Sequence, residues 1–176
     1  MLITLGIAAW TTFLSFQPEP LMHKDTSYLP DGFMENVTAW IMNKEGEPSM
    51  KIITPKLIHY LKDDKSELTA PQITLYRNSP NPWLISSNFA TALNGTEQIN
   101  FQNNVVITHA ADIKLPETLI KTNKLTVKPE KQTAETAELI TMIQPNLKIQ
   151  GLGMFANIDT GYINLKSHTR GEYVPN

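Results

Sequence analysis

From Phe33 onward the chain alternates between apolar and polar residues in short runs, and the runs are cut by Gly, Pro, Asn and Asp. Alternation with a period of two places successive side chains on opposite faces of a strand, so it predicts half-buried β-strands. The first run is Phe33 to Met42, closed by the turn Asn43-Lys-Glu-Gly46. Met50 to Thr54 and Leu57 to Leu61 read as two strands parted by Pro55, because proline has no N–H for a ladder and marks a bend or an edge. Glu67 to Thr69 and Gln72 to Arg77 repeat the device around Pro71. Trp83 to Phe89, Ala90 to Leu93 and Gln98 to His109 follow, with Asn94-Gly95 as a hairpin signal. Leu119 to Lys121, Lys124 to Lys128, Ala137 to Ile143, Leu147 to Gln150, Met154 to Ile158 and Tyr162 to His168 complete the series. Thr133 to Ile143 comes nearest to a helical stretch, since Ala and Glu favour helix, and its pattern leaves helix or strand open. Many short strands with short turns between them predict an all-β, antiparallel sandwich, jelly roll or barrel-like stack.

The longest run shows what the strands do with their faces. Ile99, Phe101, Val105 and Ile107 share one parity, with Asn103 between them, while Asn100, Gln102, Asn104, Val106 and Thr108 share the other, so one face is apolar and the other mostly polar. Leu125 with Val127, and Leu147 with Ile149, repeat the pattern. Sheets that close on one another would make this surface an ordinary core, which the alternation alone favours. Sheets that splay would make it a groove able to take acyl chains, at about 25 cal/mol per Å² of apolar area buried.

The first 32 residues follow a different rule. Met1 to Phe16 is apolar and uncharged, and Gln17-Pro-Glu-Pro20 stops any helix there. The segment is just short of the roughly 17 residues a spanning helix needs, and no Lys or Arg flanks it. It is expected to be a transmembrane anchor; a signal peptide lacks a small-x-small site at its end, and a buried first helix is the remaining alternative. Residues 17–31, with three prolines, read as a linker, and residues 32–176 as the β domain.

Composition narrows function by exclusion. With 15 basic and 17 acidic side chains among 176 residues, no basic excess marks a nucleic-acid partner. The absence of cysteine removes disulfides, thiolate metal sites and cysteine nucleophiles. His23, His59, His109 and His168 are far apart and form no ligand pair, so no metal or other cofactor is expected. Asp63 and Asp64 sit between lysines in a turn, which turn chemistry explains better than acid–base catalysis. No serine has a Gly-x-Ser-x-Gly setting, and Gly151-Leu-Gly153 is too short for a phosphate loop. Asn36-Val-Thr38 and Asn94-Gly-Thr96 match the glycosylation sequon, a pattern that arises often by chance. The first and last strands are long and carry few charges in their middle stretches, so an unprotected edge there could accept a partner's strand, unless the two edges pair together or a loop covers them.

In Gly46-Glu-Pro-Ser-Met-Lys-Ile-Ile-Thr-Pro-Lys-Leu-Ile-His-Tyr60 a Gly is followed by an alternating strand and an aromatic. Leu68-Thr-Ala-Pro-Gln-Ile-Thr-Leu75 is a strand that carries Pro71, and Pro82-Trp-Leu-Ile-Ser-Ser-Asn-Phe-Ala90 is a strand that opens on a tryptophan. Gly151-Leu-Gly-Met154, Gly161 and Arg170-Gly-Glu-Tyr173 follow. In order and spacing these motifs resemble the first hairpin, the next strand, the tryptophan strand and the last strands of the LptC family of lipopolysaccharide export proteins. Gln102-Asn-Asn-Val105 departs from it where Gly before Asn-Val is usual, and Gln144 stands near a position often held by Gly.

The resemblance implies a twisted, open antiparallel β-jellyroll of the LptA/OstA kind behind one transmembrane helix in the inner membrane. It implies lipopolysaccharide as cargo, received from the ABC transporter LptBFG at the N-terminal edge and passed to LptA at the C-terminal edge, with no catalytic residue. By matched position Val37, Leu68, Ile163 and Tyr173 would line or border the lipid path, and the alternating set adds Phe101, Val105 and Ile107. The docking edges would be Phe33, Met34, Val37, Ala39 and Ile41 on one side and Tyr162, Asn164, Lys166 and His168 on the other. A structural adaptor that assembles an envelope complex without carrying lipid is the alternative. A hydrolase would need a clustered acid and base that the spacing does not supply.

Overall fold

The computed structural model describes residues 29–77 and 80–173. The expected anchor, and most of the linker, lie outside these residues. Among the described residues no helix is long and apolar enough to cross a membrane. Eleven strands make one antiparallel sheet. They are β1 (Pro30–Met42), β2 (Pro48–Tyr60), β3 (Lys65–Thr69), β4 (Gln72–Leu75), β5 (Trp83–Ser86), β6 (Phe89–Leu93), β7 (Gln98–His109), β8 (Thr118–Lys128), β9 (Thr133–Gln144), β10 (Leu147–Asn157) and β11 (Ile163–Tyr173). The first strand thus begins two residues ahead of the expected domain boundary.

The register divides the sheet into two layers that share their long strands. The first half of β2 pairs with β4, and its second half with β3. The second half of β7 pairs with β5, and its first half with β6. Strands β8 to β11 likewise pair in two stretches separated by register shifts. The first layer therefore runs from the C-terminal half of β1 through β4, β5 and the later half of β7 to the C-terminal half of β11. The second layer runs from the N-terminal half of β1 through β3, β6 and the early half of β7 to the N-terminal half of β11. Each long strand crosses from one layer to the other at a bend, and the bends line up as a ridge.

Local chemistry makes the ridge. Two residues of β7, Asn103 and Asn104, stand opposite one position of β8, and both have positive φ, 62° and 53°. Asn reaches this left-handed region more easily than other side chains, so it serves where a glycine is usual. Asn36 in β1 (φ 52°), Ala70 between β3 and β4 (φ 44°) and His168 in β11 (φ 49°) mark further bends. Hydroxyls satisfy carbonyls that the bends strip from the ladder. Thr54 Oγ1 donates to the Thr69 carbonyl (2.6 Å), and Ser87 Oγ to that of Phe89 (2.7 Å). Replacing Asn103 by Val is expected to cost about 1–2 kcal/mol, the penalty for a branched side chain in the left-handed region, and Asn103→Gly to be near neutral. Urea midpoints of the two variants check this.

The bends also explain why some strands read as broken. Pro55 does not separate two strands: β2 is continuous, and the proline lies where its partner changes from β4 to β3. Leu119–Lys121 and Lys124–Lys128 are one strand, β8, and Leu147–Gln150 and Met154–Ile158 are joined in β10. Thr133 to Ile143 is strand β9, paired on both sides. Pairing on two edges overrides the helix preference of its Ala and Glu.

Candidate lipid-binding interior and strand edges

The register lines up apolar side chains in rows across the inner faces of both layers. In the first layer one row runs Ala39, Ile52, Ile73, Ile85, Ile107, Ile120, Met142, Ile149 and ends at Gly171. In the second layer Met34, Leu57, Leu68, Ala90, Phe101 and Leu125 form one row. Beside it Ala92, Ile99, Val127, Ala134, Ala156 and Ile163 form another. Each row is the period-two face of successive strands brought into register, so strand alternation becomes a continuous apolar wall.

Burial varies along the rows. Leu68, Phe101, Val105 and Ile107 are at most 5% exposed and belong to the closed core. Towards β1 the wall opens: Val37, Ala39, Ile41 and Leu57 are half-buried and Met34 is 48% exposed. Towards β11 Ile163, Leu165 and Ile149 are half-buried, and Tyr173 is 70% exposed. All seven residues expected on the lipid path therefore lie on the inner face, four in the packed middle and three at the open ends. Leu57, Ile149 and Leu165 join them at the ends. Leu165 shares the parity of Ile163, and that was the signal for it in the sequence. From the packed middle to the start of β11 a cavity of about 30 Å³ lies between the layers, lined by Trp83, Ile85, Ile107, Met154 and Ile163 among others. At about 10–15 Å³ per water by this measure, it has room for a few waters, and no acyl chain fits it without the layers moving apart.

One row of the first layer is polar in part. Trp83 and His109 pair across β5 and β7 with ring centroids 4.6 Å apart. His109 Nε2 lies 3.5 Å from the Asp112 carboxylate, both side chains being almost fully buried. Among the described residues no group of three or more His, Asp or Glu side chains could hold a metal ion.

Both outer strands have a free side. Among the described residues β1 pairs only with β2, and β11 only with β10. Across its length β1 carries two charges, Asp31 and Glu35, and exposes Phe33, Met34, Trp40 and Met42. Of the expected docking residues, Phe33 is on the outer face under the Lys56 ammonium (5.2 Å), whereas Met34, Val37, Ala39 and Ile41 point inward. Asn164, Lys166 and His168 are exposed on β11, and Tyr162 sits in the turn before it, 60% exposed. β1, a long strand with only two charges, lacks the usual protection against pairing with another chain, whereas β11 carries Lys166, Arg170 and Glu172.

The start of β1 is held by an ionic clasp. His59 Nδ1 lies 2.7 Å from Asp31 and its Nε2 lies 2.9 Å from Asp64. Hydrogen bonding to Asp64, and then to Asp31, raises the His59 pKa above its usual 6.5. The protonated ring donates to both carboxylates, while a neutral ring can donate to one only. The clasp therefore stabilises the fold fully below pH 6.5, and the contribution disappears as pH rises through the raised folded value. The stability gap between the wild type and His59→Ala is expected to be wider at pH 5.5 than at pH 8.5. Thermal melts at both values check the sign.

A single antiparallel sheet folded into two layers, walled with apolar side chains and left open at both edge strands among the described residues, defines an open-edged β-jellyroll. The sequence profile described as lipopolysaccharide-assembly, LptC-related matches residues 1–174. The chain belongs to this LptC family, and its role is in lipopolysaccharide transport. The fold is similar to that in the crystal structure of LptH from Pseudomonas aeruginosa, the LptA-homologous periplasmic component of the lipopolysaccharide transport device. The TM-score is 0.58 at 8% identity, over 72% of this chain and 95% of that one. No curated protein sequence matches the chain.

Proposed function

We propose that this chain is a non-enzymatic carrier of lipopolysaccharide, receiving the lipid at the β1 edge and releasing it at the β11 edge. The observation that carries the reading is the run of apolar rows from one free edge strand to the other, half-exposed at both ends. A partner of the same fold that adds its strand to β1 or β11 by β-augmentation extends these rows into its own interior. On this reading the β1 edge meets the periplasmic part of the inner-membrane ABC transporter, LptBFG, and the β11 edge meets LptA. Residues 1–16 anchor the domain in the inner membrane and hold the β domain in the periplasm, where the tether raises its local concentration at the transporter. Val37, Leu68, Phe101, Val105, Ile107, Ile163 and Tyr173 contact acyl chains, and ATP hydrolysis by the partner drives the transfer.

The packed middle favours a second reading, an adaptor whose edges join two partners while its interior stays closed. Site-specific photo-crosslinking separates the two. A photoreactive residue at Ile163 is expected to capture lipopolysaccharide in cells with an active transporter, and one at the outward-facing Asn164 is not. Folded protein with no adduct at Ile163 would sink the carrier reading and leave the adaptor.

A further inference from the structure

The two layers share their long strands along the ridge, so they can part only on the opposite side, where the strands end. Arg77 follows β4 in the first layer, and its guanidinium is fixed there by the carbonyls of Tyr76 (Nη1 donating, 2.6 Å) and Ser49 (3.2 Å). Its Nη2 donates across the gap to the carbonyl of Pro129, which follows β8 in the second layer (3.2 Å). Asp159, in the β10–β11 turn of the second layer, acts on the same cation: burial lowers the Arg77 pKa and the Asp159 carboxylate opposes that.

Next to this bracket a side chain of the β7–β8 loop of the first layer reaches the β10–β11 turn of the second. Leu115 packs on Gly161 so closely that a Cβ there would come within 2.6 Å of it. Gly161 also has φ +71°, so the contact is a leucine on bare backbone. On the Arg77 side the gap is already a cleft of about 500 Å³, lined by loops of both layers and reaching the core residue Met50. Leu75, two residues before Arg77, lines the small 30 Å³ cavity instead. The interior thus narrows at the end of β4, where Arg77 bridges the layers.

We propose that acyl chains handed over at the β1 edge are let into the interior by a sideways parting of the layers, along the strand-end gap between the 110–117 loop and the 158–162 turn, and that Arg77 holds this entrance shut. The acyl-chain part of the idea rests on the carrier reading; the entrance itself does not. Besides core contacts between the layers, opening breaks the Arg77–Pro129 hydrogen bond, the Arg77–Asp159 attraction and the Leu115–Gly161 contact, and leaves the ladder pairings within each layer intact. The β1 and β11 edges stay free for partners while the gap is open.

The chain has no cysteine, which makes a clean test possible. Ala156→Cys places a single thiol in the wall of the small cavity. In the full chain, Arg77→Met is expected to speed alkylation of that thiol by a small maleimide at least fivefold, and Asp159→Asn by less. Urea midpoints separate local from global opening. Unchanged labelling in both variants, or an increase no larger than the lost global stability explains, would overturn the proposal.

A second arm locks the entrance with a disulfide between Leu115→Cys and Gly161→Cys. Lipopolysaccharide adducts at a photoreactive residue 163 are expected to vanish in the oxidised form and return on reduction, the reduced form carrying the same backbone strain. Adducts at full level in the oxidised form also overturn the entrance. If the reduced form gives no adduct while labelling still responds to Arg77, the entrance stands and the carrier reading fails.

Discussion

Ile107→Asp is expected to unfold the β domain at neutral pH. Ile107 is 5% exposed and stands in the middle of the first-layer row, between Ile85 on β5 and Ile120 on β8. Both neighbours are buried and apolar, so an aspartate there faces isoleucine side chains on either side in the row. The substitution loses the apolar burial of an isoleucine, about 1.5–3 kcal/mol, and adds the cost of a carboxylate that must be desolvated or protonated. Together these exceed about 4 kcal/mol, against a total stability of order 5–15 kcal/mol for a domain of this kind. Circular dichroism in urea reads the effect. A loss under about 1 kcal/mol, the ordinary range of point substitutions, would mean that the middle of the interior is wet and open rather than packed.

Ile163→Asp is expected to do the opposite: to leave the fold standing and abolish lipid capture. Ile163 opens β11, is half-buried, and has a ladder partner on one side only, Ala156 of β10. A carboxylate there can turn towards water at the edge, so the penalty that unfolds the middle of the row is largely avoided. An acyl chain leaving over that edge would lose an apolar contact of about 1.5–3 kcal/mol. At tenfold per 1.4 kcal/mol, adduct yield is expected to fall by about ten- to a hundredfold. With Ile163 substituted, the photoreactive reporter moves to Tyr173, the inward-facing residue at the other end of β11. Wild-type adduct yield in a folded Ile163→Asp protein would show that the lipid does not leave past Ile163. The contrast between two isoleucines, both on inner rows, is the energetic difference between the packed middle and the open ends.

Period-two alternation was enough to place most strands and their inner faces. Ile99, Phe101, Val105 and Ile107 were recognisable as one face, and all four are core residues. The bends were legible only as interruptions. Pro55 read as a break because a proline removes a ladder hydrogen bond whichever way the chain goes next. Only the register shows that β2 continues and exchanges β4 for β3. Asn103 and Asn104 stood out as a departure from a usual glycine, and their positive φ values show that the turn geometry is kept with a different residue. Thr133 to Gln144 stayed ambiguous because helix propensity is local, whereas the two neighbouring strands that hold β9 extended come from elsewhere in the chain.

The sequence by itself determined the all-β class, the two-faced character of each strand, the family resemblance and the lack of any recognisable catalytic constellation, because periodicity and residue type are carried locally. The tertiary structure decided which apolar residues form a sealed core and which remain half-open at the ends, since burial depends on what lies across the gap between layers. It also decided which strands keep a free edge. Leu115 against Gly161, and Arg77 against the Pro129 carbonyl, are close only because the sheet folds back on itself. Contacts between residues so far apart in sequence leave no periodic trace, and only the folded chain brings them together.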